Sequence, residues 1–139
     1  MSRVFVDSGG WFAYLVGDDA EHDTAHRLFM RARNERRTLV TTNAVVFETH
    51  ALFVNRAREG RALGLDFLDD VQTGLCELVR VTKQDERRAT ELIRRHADKD
   101  YSLCDALSFV VMERLRIKEA IAFDRHFRQY GVKLLEVVR

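Results

Sequence analysis

The stretch Arg3-Val4-Phe5-Val6-Asp7-Ser8-Gly9-Gly10 is an apolar run that stops on a carboxylate and breaks at a glycine pair. The run predicts a short buried strand, and the hydroxyl and glycines after it predict a turn into a helix. In open α/β sheets the carboxyl ends of parallel strands form the crevice where ligands bind. Asp7 therefore stands where chemistry tends to occur, with no evident structural reason beyond a turn with Gly9.

Further strands are expected at Thr38 to Thr41, Glu77 to Val81, Ala120 to Phe123 and Lys133 to Val137. Helical patterns separate them: Gly10 to Val16, Glu21 to Asn34, Asn43 to Arg58, Gly60 to Thr73, Lys83 to Ala97, Leu103 to Arg116 and a short turn at Arg125 to Tyr130. Thr82 with Asp85, and Ser102 with Asp105, match the capping box that starts a helix. Strands alternating with helices imply an α/β fold with a mostly parallel, roughly five-stranded sheet and helices on both faces. No proline, linker or repeat interrupts the chain, so residues 1–139 read as a single domain.

Composition excludes several classes. At 139 residues and 46% apolar content the chain can bury a core of its own. No apolar run reaches the ~18 residues of a membrane span. The first residues lack the pattern of a signal peptide, so a cytoplasmic location is expected. Cys76 and Cys104 have no metal-ligand spacing and read as reduced thiols. The balance of 23 basic and 22 acidic residues argues neither for nor against nucleic acid. Of the basic residues 19 are Arg, 11 of them grouped at 31–37, 56–61 and 87–95; most read as solvated helix faces paired with nearby acids and a minority as phosphate contacts.

Three more acids stand where acids are unfavourable. Glu48 lies in Ala44-Val45-Val46-Phe47-Glu48, ahead of Ala51-Leu52-Phe53-Val54, a helix apolar almost all round that reads as buried. Such a Glu must be paired, with Asn55 and Arg56 as possible structural partners, or must hold a metal. Asp105 opens a helix apolar on nearly every side, where the capping box with Ser102 is an equally good explanation. Asp124 follows Ala120-Ile121-Ala122-Phe123 and repeats the grammar of Asp7, although an N-cap role accounts for it alone. If the parallel sheet holds, Asp7 and Asp124 open into one crevice, with Glu48 and Asp105 within reach from flanking helices. Converging carboxylates call for cations, and all-oxygen ligation favours Mg²⁺ or Mn²⁺.

The segments VFVDSGGWFAYL with Asp7, TTNAVVFETHAL with Glu48, DKDYSLCDALSFVVM with Asp105 and AIAFDRHF with Asp124 resemble those of PIN-domain ribonucleases, and among them the VapC-type toxins of bacterial toxin–antitoxin pairs. The resemblance spans nearly the whole chain and implies a three-layer α/β/α PIN-like domain. It further implies an acidic metal centre of Asp7, Glu48, Asp105 and Asp124, with Mg²⁺ tied most firmly to Asp7 and Asp105. Ser8 matches the small hydroxyl residue expected to support that centre. Family members often carry Thr or Ser two positions before the fourth acid and another acid two after it, whereas Ala122 and His126 occupy those places here.

The implied reaction is metal-assisted hydrolysis of RNA phosphodiesters by an activated water, with 5′-phosphate and 3′-hydroxyl ends on the products. It suits a chain without a nucleophile motif. The implied partners are RNA, an antitoxin whose segment enters the acidic groove, and a second copy in a homodimer. The competing reading is a catalytically silent PIN-like module that binds RNA or protein. A haloacid-dehalogenase-type phosphatase would need an Asp where Gly9 stands, and a receiver domain an early acidic pair that is missing. Asp100 reads as a solvated turn or a salt bridge. His22 and His26 read as helix surface, His50, His96 and His126 as isolated, with contact to substrate phosphate a minor alternative for His126 beside Asp124, and Trp11, Phe12 and Tyr14 as core by default.

Overall fold

The computed structural model describes residues 2–137. Its order is β1 (Arg3–Val6), α1 (Ser8–Leu15), α2 (His22–Asn34), β2 (Thr38–Thr42), α3 (Asn43–Arg56), α4 (Gly60–Gln72), β3 (Glu77–Val79), α5 (Lys83–Arg95), α6 (Leu103–Leu115), β4 (Glu119–Ile121), α7 (Arg125–Tyr130) and β5 (Lys133–Leu134). The strands form one parallel sheet in the order β3-β2-β1-β4-β5. This is the expected α/β/α architecture. The chain winds outward from β1 through β2 to β3, then returns past β1 to β4 and β5. The reversal falls between β1 and β4, and at such a switch point the connections leave the sheet in opposite directions and open a crevice at the strands' carboxyl ends.

The differences in element ends have local causes. β3 stops at Val79 because the amide of Val81 donates to the side chain of Asn43 (2.9 Å) instead of joining the ladder. β4 runs from Glu119 to Ile121 rather than on to Phe123, its last pairing being that of Ile121 with Val6 at the end of β1. The expected turn at Ser8 to Gly10 is already helix, with the amide of Gly10 donating to the Asp7 carbonyl (3.0 Å). Gly10 serves close approach, because a Cβ there would stand 2.8 Å from the Ile121 carbonyl oxygen. Both capping boxes form as expected, Thr82 with Asp85 and Ser102 with Asp105.

Two groups of helices flank the sheet: α1 packs on α2 and α3, and α3 on α4, while α6 packs on α5 and α7, with α3 touching α6. Trp11 is fully buried between Phe29 and Phe67, and Phe67 in turn meets Phe53. Each such ring removed from water contributes about 2–3 kcal/mol. On the other side Asp85 is buried and receives two bonds from Arg114 (2.9 and 2.8 Å), fixing α5 to α6. The all-round apolar pattern of α6 is explained by burial, every residue from Asp105 to Met112 being buried.

α3 departs from the expectation. Its apolar circumference predicts a buried helix, yet Phe47 is 65% and Val54 52% exposed, on the turns around an exposed Ala51. Only the side bearing Val45, Val46, Thr49 and Phe53 faces the interior. An apolar pattern reports a surface that avoids water; it does not say whether the same chain covers it.

Candidate active site

Asp7 ends β1 in the N-cap position of α1, but its side chain makes no capping bond. The residue is 3% exposed, and Oδ1 is buried without any hydrogen-bond partner. Burial is the chief reason that the carboxyl is pushed up to about 8, with the Ser8 amide acting the other way and the charges of Glu48, Asp105 and Asp124 adding to the rise. Asp7 and Asp124 follow the adjacent strands β1 and β4, Glu48 reaches the residue next to Asp7 and Asp105 reaches the residue two after Asp124.

Each of the other three acids is held by its own device. Glu48, on α3 and partly exposed, accepts the hydroxyl proton of Ser8. Its expected partners Asn55 and Arg56 are instead exposed, further along α3. The Cys104 thiol also lies beside Glu48; burial and the carboxylates of Glu48 and Asp7 push it well above the usual thiol range, which keeps it a neutral thiol. Asp105 occupies the third position of α6, where Oδ2 accepts the amide of Ser102 (3.1 Å) and Ser102 accepts the amide of Asp105 in return (3.0 Å). Asp124 caps α7 by accepting the amide of His126 (2.8 Å). The capping explanations for Asp105 and Asp124 are thus correct, and they leave carboxylate oxygens free for a further role.

His126 is the residue that sequence reading undervalued. Its Nδ1 donates to Oδ2 of Asp105 (2.8 Å) and lies 3.3 Å from Oδ1 of Asp124. The ring stands edge-on to Tyr101 with centroids 5.6 Å apart. One ligand atom from each of Asp105, Asp124 and His126 lies within 4.8 Å of the others, a grouping able to hold a metal ion. The only sequence signal was the place of His126 two residues after Asp124. Of the other residues weighed, Asp100 is exposed, and Nδ1 of His22 bonds the Ala13 carbonyl (2.9 Å), tying α2 to α1.

Comparison with known proteins bears on what such a crevice is. The family model of the PIN domain matches residues 4–133. The chain belongs to the PIN-domain family. Within that family it is 33% identical over 128 residues to the 23S rRNA-specific endonuclease VapC20 of Mycobacterium tuberculosis, covering 92% of this chain and 94% of that one. It is 28% identical over 128 residues to a VapC ribonuclease of Archaeoglobus fulgidus, covering 89% and 78% respectively. The crystal structure of M. tuberculosis VapC20, described as a sarcin–ricin loop cleaving toxin, superposes on this PIN domain with a TM-score of 0.84 at 32% identity, covering 93% of this chain and 95% of that one.

Proposed function

We propose that this PIN-domain protein is a Mg²⁺-dependent endoribonuclease and the toxin of a toxin–antitoxin pair, with residues 1–139 forming a single PIN domain. The observation that carries the reading is the buried Oδ1 of Asp7, which has no hydrogen-bond partner among the described residues, in a carboxyl group that also feels the charges of Glu48, Asp105 and Asp124. A buried anion among like charges is unfavourable unless a cation joins it, and a set of carboxylate oxygens fits a hard divalent ion such as Mg²⁺, with Mn²⁺ as a substitute. Asp7 and Asp105 would hold that ion, with Glu48 and Asp124 completing the acidic set. When bound, the ion would supply a nucleophilic water at neutral pH and offset charge at the scissile phosphate.

The chain's own residues do the rest. Ser8 fixes the rotamer of Glu48 by donating to it, and the Ser102 capping box fixes Asp105 against α6. Loss of catalysis on small misplacements makes such supports functional. RNA is the substrate, and the 23S rRNA named for the VapC20 relative is the first class to test. A cognate antitoxin and a homodimer partner belong to the same reading, supported by the uncovered apolar residues Phe47, Val54, Leu65 and Leu103. Among the described residues no helix is long and apolar enough to cross a membrane, in keeping with a cytoplasmic toxin.

The deciding experiment compares RNA cleavage by the wild type and Asp7→Asn in Mg²⁺ and in EDTA, with the cleavage ends mapped. Loss of cleavage in the variant and in EDTA, with 5′-phosphate products, supports the reading. Equal, EDTA-insensitive activity overturns it. Calorimetry showing no binding of Mg²⁺ or Mn²⁺ would favour the silent RNA- or protein-binding module instead.

A further inference from the structure

Nδ1 of His126 stands 2.8 Å from Oδ2 of Asp105 and 3.3 Å from Oδ1 of Asp124. Donors in neighbouring positions on one six-coordinate ion, each at about 2.1 Å, stand about 3 Å apart. The imidazole nitrogen therefore has the spacing of a ligand. His126 is also rigidly placed. Its backbone amide bonds Asp124, its side chain is only 16% exposed, and its ring is braced edge-on by Tyr101, itself buried. A ring held by Asp105 at one edge and braced by Tyr101 meets an ion without a large loss of rotamer freedom. The independent sign that a cation belongs here is the buried Oδ1 of Asp7, which has no partner in the protein.

We infer that His126 is a direct metal ligand, so that the centre is a mixed nitrogen–oxygen site that prefers Mn²⁺ to Mg²⁺. Nδ1 is the ring atom that faces Asp105, and a neutral ring would offer the Nδ1 lone pair to the ion in place of that hydrogen bond. Imidazole is a good donor to first-row transition ions and a poor one to Mg²⁺, which selects oxygen and water. His126 would therefore raise Mn²⁺ affinity while adding little for Mg²⁺. The carboxylates set the class, a hard divalent cation, and the preference between Mn²⁺ and Mg²⁺ follows from this one side chain.

This inference rests on the acidic set binding a divalent cation, and the test separates the two. The purified full chain is loaded with Mn²⁺ and examined by electron spin-echo spectroscopy, which detects a nitrogen bonded to the ion, and its affinities for Mn²⁺ and Mg²⁺ are measured by calorimetry. The wild type is expected to show a directly bound nitrogen that disappears in His126→Gln. In His126→Asp, which restores an oxygen donor, Mn²⁺ should still bind, without nitrogen, and the preference for Mn²⁺ over Mg²⁺ should fall by about tenfold or more. Thermal melting of both variants checks that they are folded. Mn²⁺ bound to the wild type without a nitrogen signal, or with one that persists in His126→Asp, overturns this inference alone. No Mn²⁺ binding by the wild type overturns it together with the metal reading of the four acids.

Discussion

The amide of Asp7 donates to the carbonyl of Ile121 at 3.0 Å, locking the ends of β1 and β4 side by side. The register continues the pairing of Val6 with Ile121, so the two strands finish level. Asp7 follows one and Asp124 comes three residues after the other, which is why both carboxylates open into the same crevice. The site is a property of this strand pair and of the helices that begin beside it.

Asp7 is the first residue to change. Asp7→Asn keeps the shape of the side chain and removes its charge, and RNA cleavage is expected to fall by at least about a hundredfold. Metal-free stability should move the other way, by about 1–2 kcal/mol in favour of the variant at pH 8. Burial raises the folded carboxyl from 3.8 to about 8, so between those values the folded state holds more protons than the unfolded one. Wild-type stability in EDTA therefore declines as pH rises from about 4 to about 8, whereas the variant loses that component of the slope. Melting curves across this range, read beside cleavage assays, check both directions.

Divalent metal should reverse the penalty. A ligand at a hundred times its Kd stabilises the folded state by about 2.7 kcal/mol. Adding Mg²⁺ or Mn²⁺ to the EDTA-treated wild type is expected to raise its Tm by several degrees, and the rise should be absent in Asp7→Asn. Differential scanning calorimetry provides the measurement.

Ser8 donates to Glu48 and is itself buried, so its removal leaves the Glu48 carboxylate without its orienting partner. Ser8→Ala should reduce kcat by about tenfold with a smaller effect on KM, since the loss is of positioning and not of substrate contact. Ser8→Thr retains the hydroxyl and should recover most of the rate. Steady-state cleavage of a defined RNA separates the two parameters.

Two substitutions outside the set of four acids test the scaffold. A Cβ on Gly60 would lie 1.8 Å from the Phe53 carbonyl oxygen, where α4 begins against the last turns of α3. Backbone meets backbone there, so no rotamer change relieves the clash, and Gly60→Ala should destabilise the protein by about 3 kcal/mol or more.

Asp85→Asn breaks the buried bidentate pair with Arg114, whose side chain is 33% exposed and so regains some water. A loss of about 2 kcal/mol is expected. Mg²⁺ binding should persist in this variant wherever it remains folded, which urea titration with and without metal would show.

Much of the fold was legible because its signals are local. Short apolar runs ending at turns marked the strands, and β1 was read to the residue. Two capping boxes marked helix starts, since each is closed by bonds spanning three residues. Element ends were less legible where a side chain took the next amide out of the ladder, as Asn43 does with Val81. Asp7 was legible as a candidate because a carboxylate at the end of an apolar strand conflicts with burial and no capping bond excuses it, whereas Glu48, read on a buried helix, is only half-buried.

What the sequence determined by itself, then, is the alternation of elements, the parallel sheet that follows from it, and the candidate acids. Tertiary structure alone decided how the site is wired. Ser8 meets Glu48 across 40 residues of chain and His126 meets Asp105 across 21, pairings that depend on which strands lie adjacent and how the helices cross. It also decided that α3 leaves Phe47 and Val54 in solvent although its composition reads as buried. The physical reason is the same in each case. Periodicity and capping act over one or two turns of chain, whereas the partner of a side chain is set by packing between elements that the local pattern does not specify.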